Sequence, residues 1–141
     1  FLISGSGTGS SRLLGKQGYS LVRAFDPLKN TVASFGPVQA SSESMTHGAV
    51  YGAANKARCV IHIHSPFLFT SLLAEGFPRT PESVAYGTPA LSREVARLIT
   101  EELSPSEGVF VTAGHNEGVF AYSESIASTL NLILSLNMTK D

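Results

Sequence analysis

Apolar and polar positions alternate with the two-residue period of a half-buried strand over Tyr19 to Asp26 and Thr31 to Phe35. Between them lies the turn-forming run Asp26-Pro27-Leu28-Lys29-Asn30, so the pair is predicted to be a hairpin. Phe1 to Ser4 reads as a short apolar strand ahead of the Gly/Ser-rich loop Gly5 to Ser11. From Glu43 to Asn55 the period lengthens. Met45, Ala49, Val50 and Ala53 fall on one side at helical spacing, behind Ser41-Ser42, residues suited to capping a helix start. Cys59 to His64 is a strand with Val60, His62 and His64 on one face and Cys59, Ile61 and Ile63 on the other. Ser65-Pro66 opens a helix that runs to Glu75 and stops at Gly76. Thr88-Pro89 opens another, with Leu91, Val95, Leu98 and Ile99 as its buried stripe up to Leu103. Gly108 to Ala113 and Val119 to Tyr122 are strands joined by Gly114-His115-Asn116-Glu117-Gly118, and Ser123 or Ser125 caps a last apolar helix ending near Leu136. Strands and helices alternate without a strict βαβ rhythm. The fold class predicted is α/β, with a mostly antiparallel or mixed central sheet and helices on both faces.

Composition narrows the class. With 141 residues the chain has room for one domain with a full core, and an apolar share of 43% excludes disorder. Ten basic residues against eleven acidic ones, with no basic run, leave no electrostatic footprint for nucleic acid or an anionic membrane. No apolar run reaches the roughly 18 residues of a membrane span. A single cysteine, Cys59, excludes an internal disulfide framework and a thiolate zinc cage, which points to the cytoplasm. The chain opens on Phe1 rather than Met, inside an expected strand. Residues 1–141 are therefore expected to be one domain preceded by further residues.

The chemistry-bearing positions form three groups. His62 and His64, two apart on a strand, project from one face with rings close enough to share an ion, or stand as two hydrogen-bonded histidines at a strand end. His115, in the connection after a later strand, is the natural third ligand, and Glu117 lies two residues beyond it. Ser41-Ser42-Glu43 reads either as a helix cap with an acidic first-turn residue or as an anion site with Glu43 as a base. His47 lies one helical turn after Glu43 and reads better as a buried support than as a ligand. Gly5-Ser6-Gly7-Thr8-Gly9 has backbone N–H groups for an anion but matches neither a P-loop nor a dinucleotide fingerprint.

The order Ser41-Ser42-Glu43, His47, Val60-Ile61-His62-Ile63-His64-Ser65, then His115 before Gly118, resembles the class II aldolase/adducin family over Ile3 to Leu136. The resemblance implies a divalent metal, most simply Zn²⁺, held by His62, His64 and His115. It implies Glu43 as acid/base and a substrate-phosphate site at Ser6, Gly7, Ser41 and Ser42. The activity implied is C–C bond cleavage or formation in a small sugar-phosphate-like hydroxycarbonyl substrate through a metal-stabilised enediolate. Epimerases and dehydratases of the family, and a non-catalytic adducin-head-like interaction domain, are the alternatives. A homotetramer with the site near subunit contacts is implied as well. Two departures stand out. The family's third histidine directly precedes a Gly, whereas here Glu117 precedes Gly118, so either Glu117 or His115 completes the set. The family's upstream Gly-Asn-x-Ser segment has no counterpart in this chain.

Overall fold

The computed structural model describes residues 1–138; the domain's expected end at 141 lies outside the described residues. Among the described residues, seven strands and four α-helices follow one another as β1 (Leu2–Ser4), β2 (Tyr19–Asp26), β3 (Thr31–Phe35), α1 (Ser44–Ala53), β4 (Cys59–His64), α2 (Pro66–Ala74), β5 (Arg79–Thr80), α3 (Pro89–Glu101), β6 (Gly108–Thr112), β7 (Gly118–Ser123) and α4 (Ile126–Met138). They form two sheets rather than the single one expected: β1-β2-β3, and β4-β7-β6-β5. Pairing is antiparallel except between β5 and β6. The two-residue β5 is too short to show a period in the sequence. Its partnership comes from long-range contact with β6.

The four-stranded sheet is the spine. On one face Phe110, Phe120 and Tyr122 pack with Ala49 and Val50 of α1 and with Leu91, Val95, Leu98 and Ile99 of α3. On the other, Val109, Val111, Val119 and Ala121 pack with Leu68 and Leu72 of α2 and Ile133 of α4. Helices on both faces are the physical consequence of strands that are apolar on both sides, as every residue of β7 is buried. Leu91, Val95, Leu98 and Ile99 are nearly inaccessible, each burial stabilising by about 1.5–3 kcal/mol before ordering entropy is charged against it.

Helix starts follow the local chemistry. The Ser65 hydroxyl accepts from Leu68 N at 3.3 Å with Pro66 in the first turn, and Thr88 Oγ1 accepts from Leu91 N at 3.3 Å ahead of α3. Of the two serines expected before α4, Ser125 does the capping, its hydroxyl accepting from Ser128 N at 3.1 Å. The three-stranded sheet meets α1, where the Phe1 and Tyr51 ring centroids are 5.1 Å apart and the Phe25 ring lies against Gly48, and an isolated Gly5–Ala40 bridge ties the chain after β1 to the segment before α1. Among the described residues no helix is long and apolar enough to cross a membrane.

Candidate metal centre

Strand alternation puts His62 and His64 on one face of β4, and the ladder decides what surrounds them. His62 is opposite Phe120 in the β4–β7 register and lies flat on it, with ring centroids 4.1 Å apart and planes at 18°. Its Nδ1 is 3.2 Å from the Val119 carbonyl oxygen. A carbonyl can only accept, so Nδ1 carries the proton and Nε2 is left with its lone pair free. That Nε2 faces Nε2 of His64 at 3.1 Å.

The same register delivers the third ring. His64 pairs with Gly118, the first residue of β7, so the turn leading into β7 lies beside it. His115, in that turn, has its ring centroid 4.8 Å from that of His64 and 5.6 Å from that of His62. One ligand atom from each of the three rings falls within 4.8 Å of the others. Burial lowers the basicity of His62, to a pKa of about 3, and neighbouring His64, His47 and His115 push the same way against the opposing carbonyl hydrogen bond. Burial also lowers His115, partly offset by the Glu43 carboxylate. Neutral imidazoles are the ligand form of histidine. His115 Nδ1 is in addition buried without a hydrogen bond, although Glu43 Oε1 approaches to 3.3 Å out of line. An orphaned ring nitrogen in a cluster of three imidazoles fits a bound cation.

Glu43 is buried and occupies the cap position of α1, just ahead of the first turn in which the sequence placed it. Its Oε2 accepts from Thr46 Oγ1 at 2.8 Å. The carboxylate is thus held at Oε2 by a hydroxyl on its own helix, while Oε1 lies 3.3 Å from His115 Nδ1. His47 takes the supporting role expected of it. Its Nδ1 donates to the Glu43 carbonyl at 3.0 Å, its ring stands edge-on to Phe120, and burial lowers its pKa to about 4.

These groups open on a cleft of about 1010 Å³ that Gly7, Thr8, Ser41 and Ser42 also line. The Gly-rich loop reaches the serines because Ser41 N donates to the Ser4 carbonyl at 3.1 Å and Gly5 bridges Ala40. Ser41 serves partly as a local cap, its hydroxyl accepting from Glu43 N at 3.2 Å, while Ser42 is exposed. Ser6 is exposed between Gly5 and Gly7, which line the cleft, and its N–H donates to the Gln39 carbonyl at 3.0 Å. Glu117 stays outside the cluster of three among the described residues. It sits at a left-handed φ of 66°, and its carbonyl accepts from Ser65 N at 3.1 Å.

Three neighbours escaped the sequence reading. Thr46 was recoverable, since i and i+3 meet on a helix. Phe120 needed the strand register. Tyr86, whose ring stacks on His115 with centroids 4.6 Å apart and planes at 24°, comes from a Pro- and Gly-flanked loop with no periodicity to announce it.

The sequence matches the family described as Class II Aldolase and Adducin N-terminal domain over residues 1–139. It is also similar to alpha-adducin of Mus musculus, 28% identical over 100 residues, a stretch that covers 64% of this chain and 13% of that protein. No solved structure matches the chain.

Proposed function

The chain belongs to the class II aldolase and adducin N-terminal domain family, and from that membership we propose that it is a metal-dependent lyase of the aldolase type, acting on a small phosphorylated hydroxycarbonyl compound. The observation that carries the reading is the convergence of three imidazoles on one point beside a buried carboxylate, at the wall of a large cleft. His62, His64 and His115 would hold a divalent cation, Zn²⁺ being the simplest match to three nitrogen donors. When bound, such an ion supplies Lewis acidity to the carbonyl and hydroxyl oxygens of the substrate.

The remaining work falls to side chains. Glu43 takes a proton from the substrate at Oε1, and the Thr46 hydroxyl on Oε2 keeps the carboxylate from rotating away. Ser42, Gly7 and Thr8 line the part of the cleft open to an anion, where hydroxyls and backbone N–H groups bind a phosphate. Phe120 and His47 wall off the inner side of His62 and keep water from it. We further propose that subunits associate. The exposed apolar stripe Ile126, Leu130 and Leu134 on α4 supports this, and Ile126 also lines the cleft.

The similarity to alpha-adducin supports a second reading, a non-catalytic interaction domain. Product analysis on zinc-loaded protein with a panel of phosphorylated hydroxyketones separates the readings. Two carbon fragments establish the aldolase, a stereoisomer or dehydrated product establishes a relative of different reaction class, and absence of turnover across the panel supports the interaction domain.

A further inference from the structure

His115 differs from His62 in what holds its ring. His62 is fixed by a hydrogen bond to a backbone carbonyl and by Phe120 beneath it. His115 has a buried Nδ1 without a hydrogen bond, sits in a turn, and makes its broadest ring contact with Tyr86. Tyr86 is itself 56% exposed on a loop, a setting in which an aromatic ring ordinarily samples several rotamers.

This loop, however, is tied down on both sides of Tyr86. Before it, Val84 packs against the core beside α1 and α3, and its N–H donates to the Pro81 carbonyl at 3.1 Å. The Val84 carbonyl rests on Gly114, where a Cβ would overlap it, so only glycine next to His115 permits the approach. After it, Gly87 adopts a left-handed φ of 68° and its carbonyl accepts from Asn30 Nδ2 at 2.9 Å. Asn30 lies in the β2–β3 turn, 57 residues away in sequence. The loop thus spans the two sheets, with Tyr86 pressed on the ring between its two fastenings.

We propose that the loop of residues 81–88 seats the His115 imidazole for metal binding, with Tyr86 as the positioning residue and Asn30 and Gly114 as the fastenings that hold Tyr86 over it. The proposal rests on the metal reading above for its purpose and on the ring contacts for its geometry. It also explains how a histidine three residues before Gly118 reaches the cluster: the ring is held from outside its own turn. The flat face of Tyr86, not its hydroxyl, is the active part.

Two measurements on the full chain test it. In the metal-free protein, nuclear Overhauser contacts between the His115 and His64 rings report the seating directly. Zinc titration reports its consequence. Tyr86→Phe keeps a flat ring and is expected to retain the contacts and zinc affinity within about twofold. Tyr86→Ala and Tyr86→Leu are expected to lose the ring contacts and to weaken zinc by roughly 10-fold, the scale seen when a ligand's outer support is removed. Asn30→Ala, which touches no ligand, is expected to move both readouts the same way by less. Wild-type ring contacts and zinc affinity in both Tyr86→Ala and Tyr86→Leu overturn the proposal, as does a loss in Tyr86→Phe equal to that in Tyr86→Ala. Should the wild-type protein take up no zinc, the metal reading falls and the ring contacts alone decide whether Tyr86 seats His115.

Discussion

The Nε2 atoms of His62 and His64 face each other at 3.1 Å on one face of β4. Two protonated rings repel at that separation and burial disfavours charge on His62, so the two are not both protonated where the arrangement persists. The expected result is one divalent ion per chain, measured by elemental analysis after zinc loading. Replacing both histidines by Ala should abolish uptake and leave the circular dichroism spectrum intact, because the apolar core lies on α1, α3 and the sheet. Full occupancy in the double variant refutes the site.

His115 and Glu117 compete for the third position in the sequence but not in the structure. His115→Ala should weaken zinc by an order of magnitude or more, whereas Glu117→Gln should leave affinity near wild type. Isothermal titration of the two variants checks this, and the reverse pattern assigns the ligand to Glu117.

Glu43→Gln preserves the size of the side chain and an acceptor for Thr46 while removing the base. Turnover should fall roughly 10²- to 10⁴-fold, with metal content unchanged. A residue serving only the helix start would lose at most about 1 kcal/mol of stability and no turnover. Kinetics and a urea melt on the same variant distinguish the two roles.

His47 gives the metal-free protein a pH dependence with a definite sign. Its pKa is about 4 in the folded chain, lowered by burial, against about 6.5 when unfolded. Between those values the unfolded chain binds the extra proton. Stability is therefore full above about pH 6.5 and declines as pH falls towards 4, by about 3 kcal/mol in all. Urea midpoints should track this fall, which His62, also lowered by burial, shares, and His47→Gln should make it shallower. A midpoint in the wild type that does not change over the interval contradicts the burial of a neutral ring.

Association through the α4 stripe predicts a sedimenting species larger than the chain's 14.9 kDa at micromolar concentration. Leu130→Glu, on the exposed side of that helix, should return it to the monomer. A wild-type monomer excludes the oligomer.

Local order determined most of the elements and half of the site. Alternation over Cys59–His64 was enough to put His62 and His64 on one face, because side chains two apart on a strand must share it. Ser65-Pro66, Thr88-Pro89 and Ser125 marked helix starts because capping acts within a turn of its own residue. The choice between His115 and Glu117 was of another kind. It depended on the pairing of His64 with Gly118 and on Tyr86 lying across the ring, contacts between segments that no local period encodes. The second sheet and the fastening of Gly87 by Asn30 arose in the same way. Residue type and spacing fix what a segment does to itself. Which segments then meet is decided by burying the strand faces of β6 and β7, a property of the whole chain.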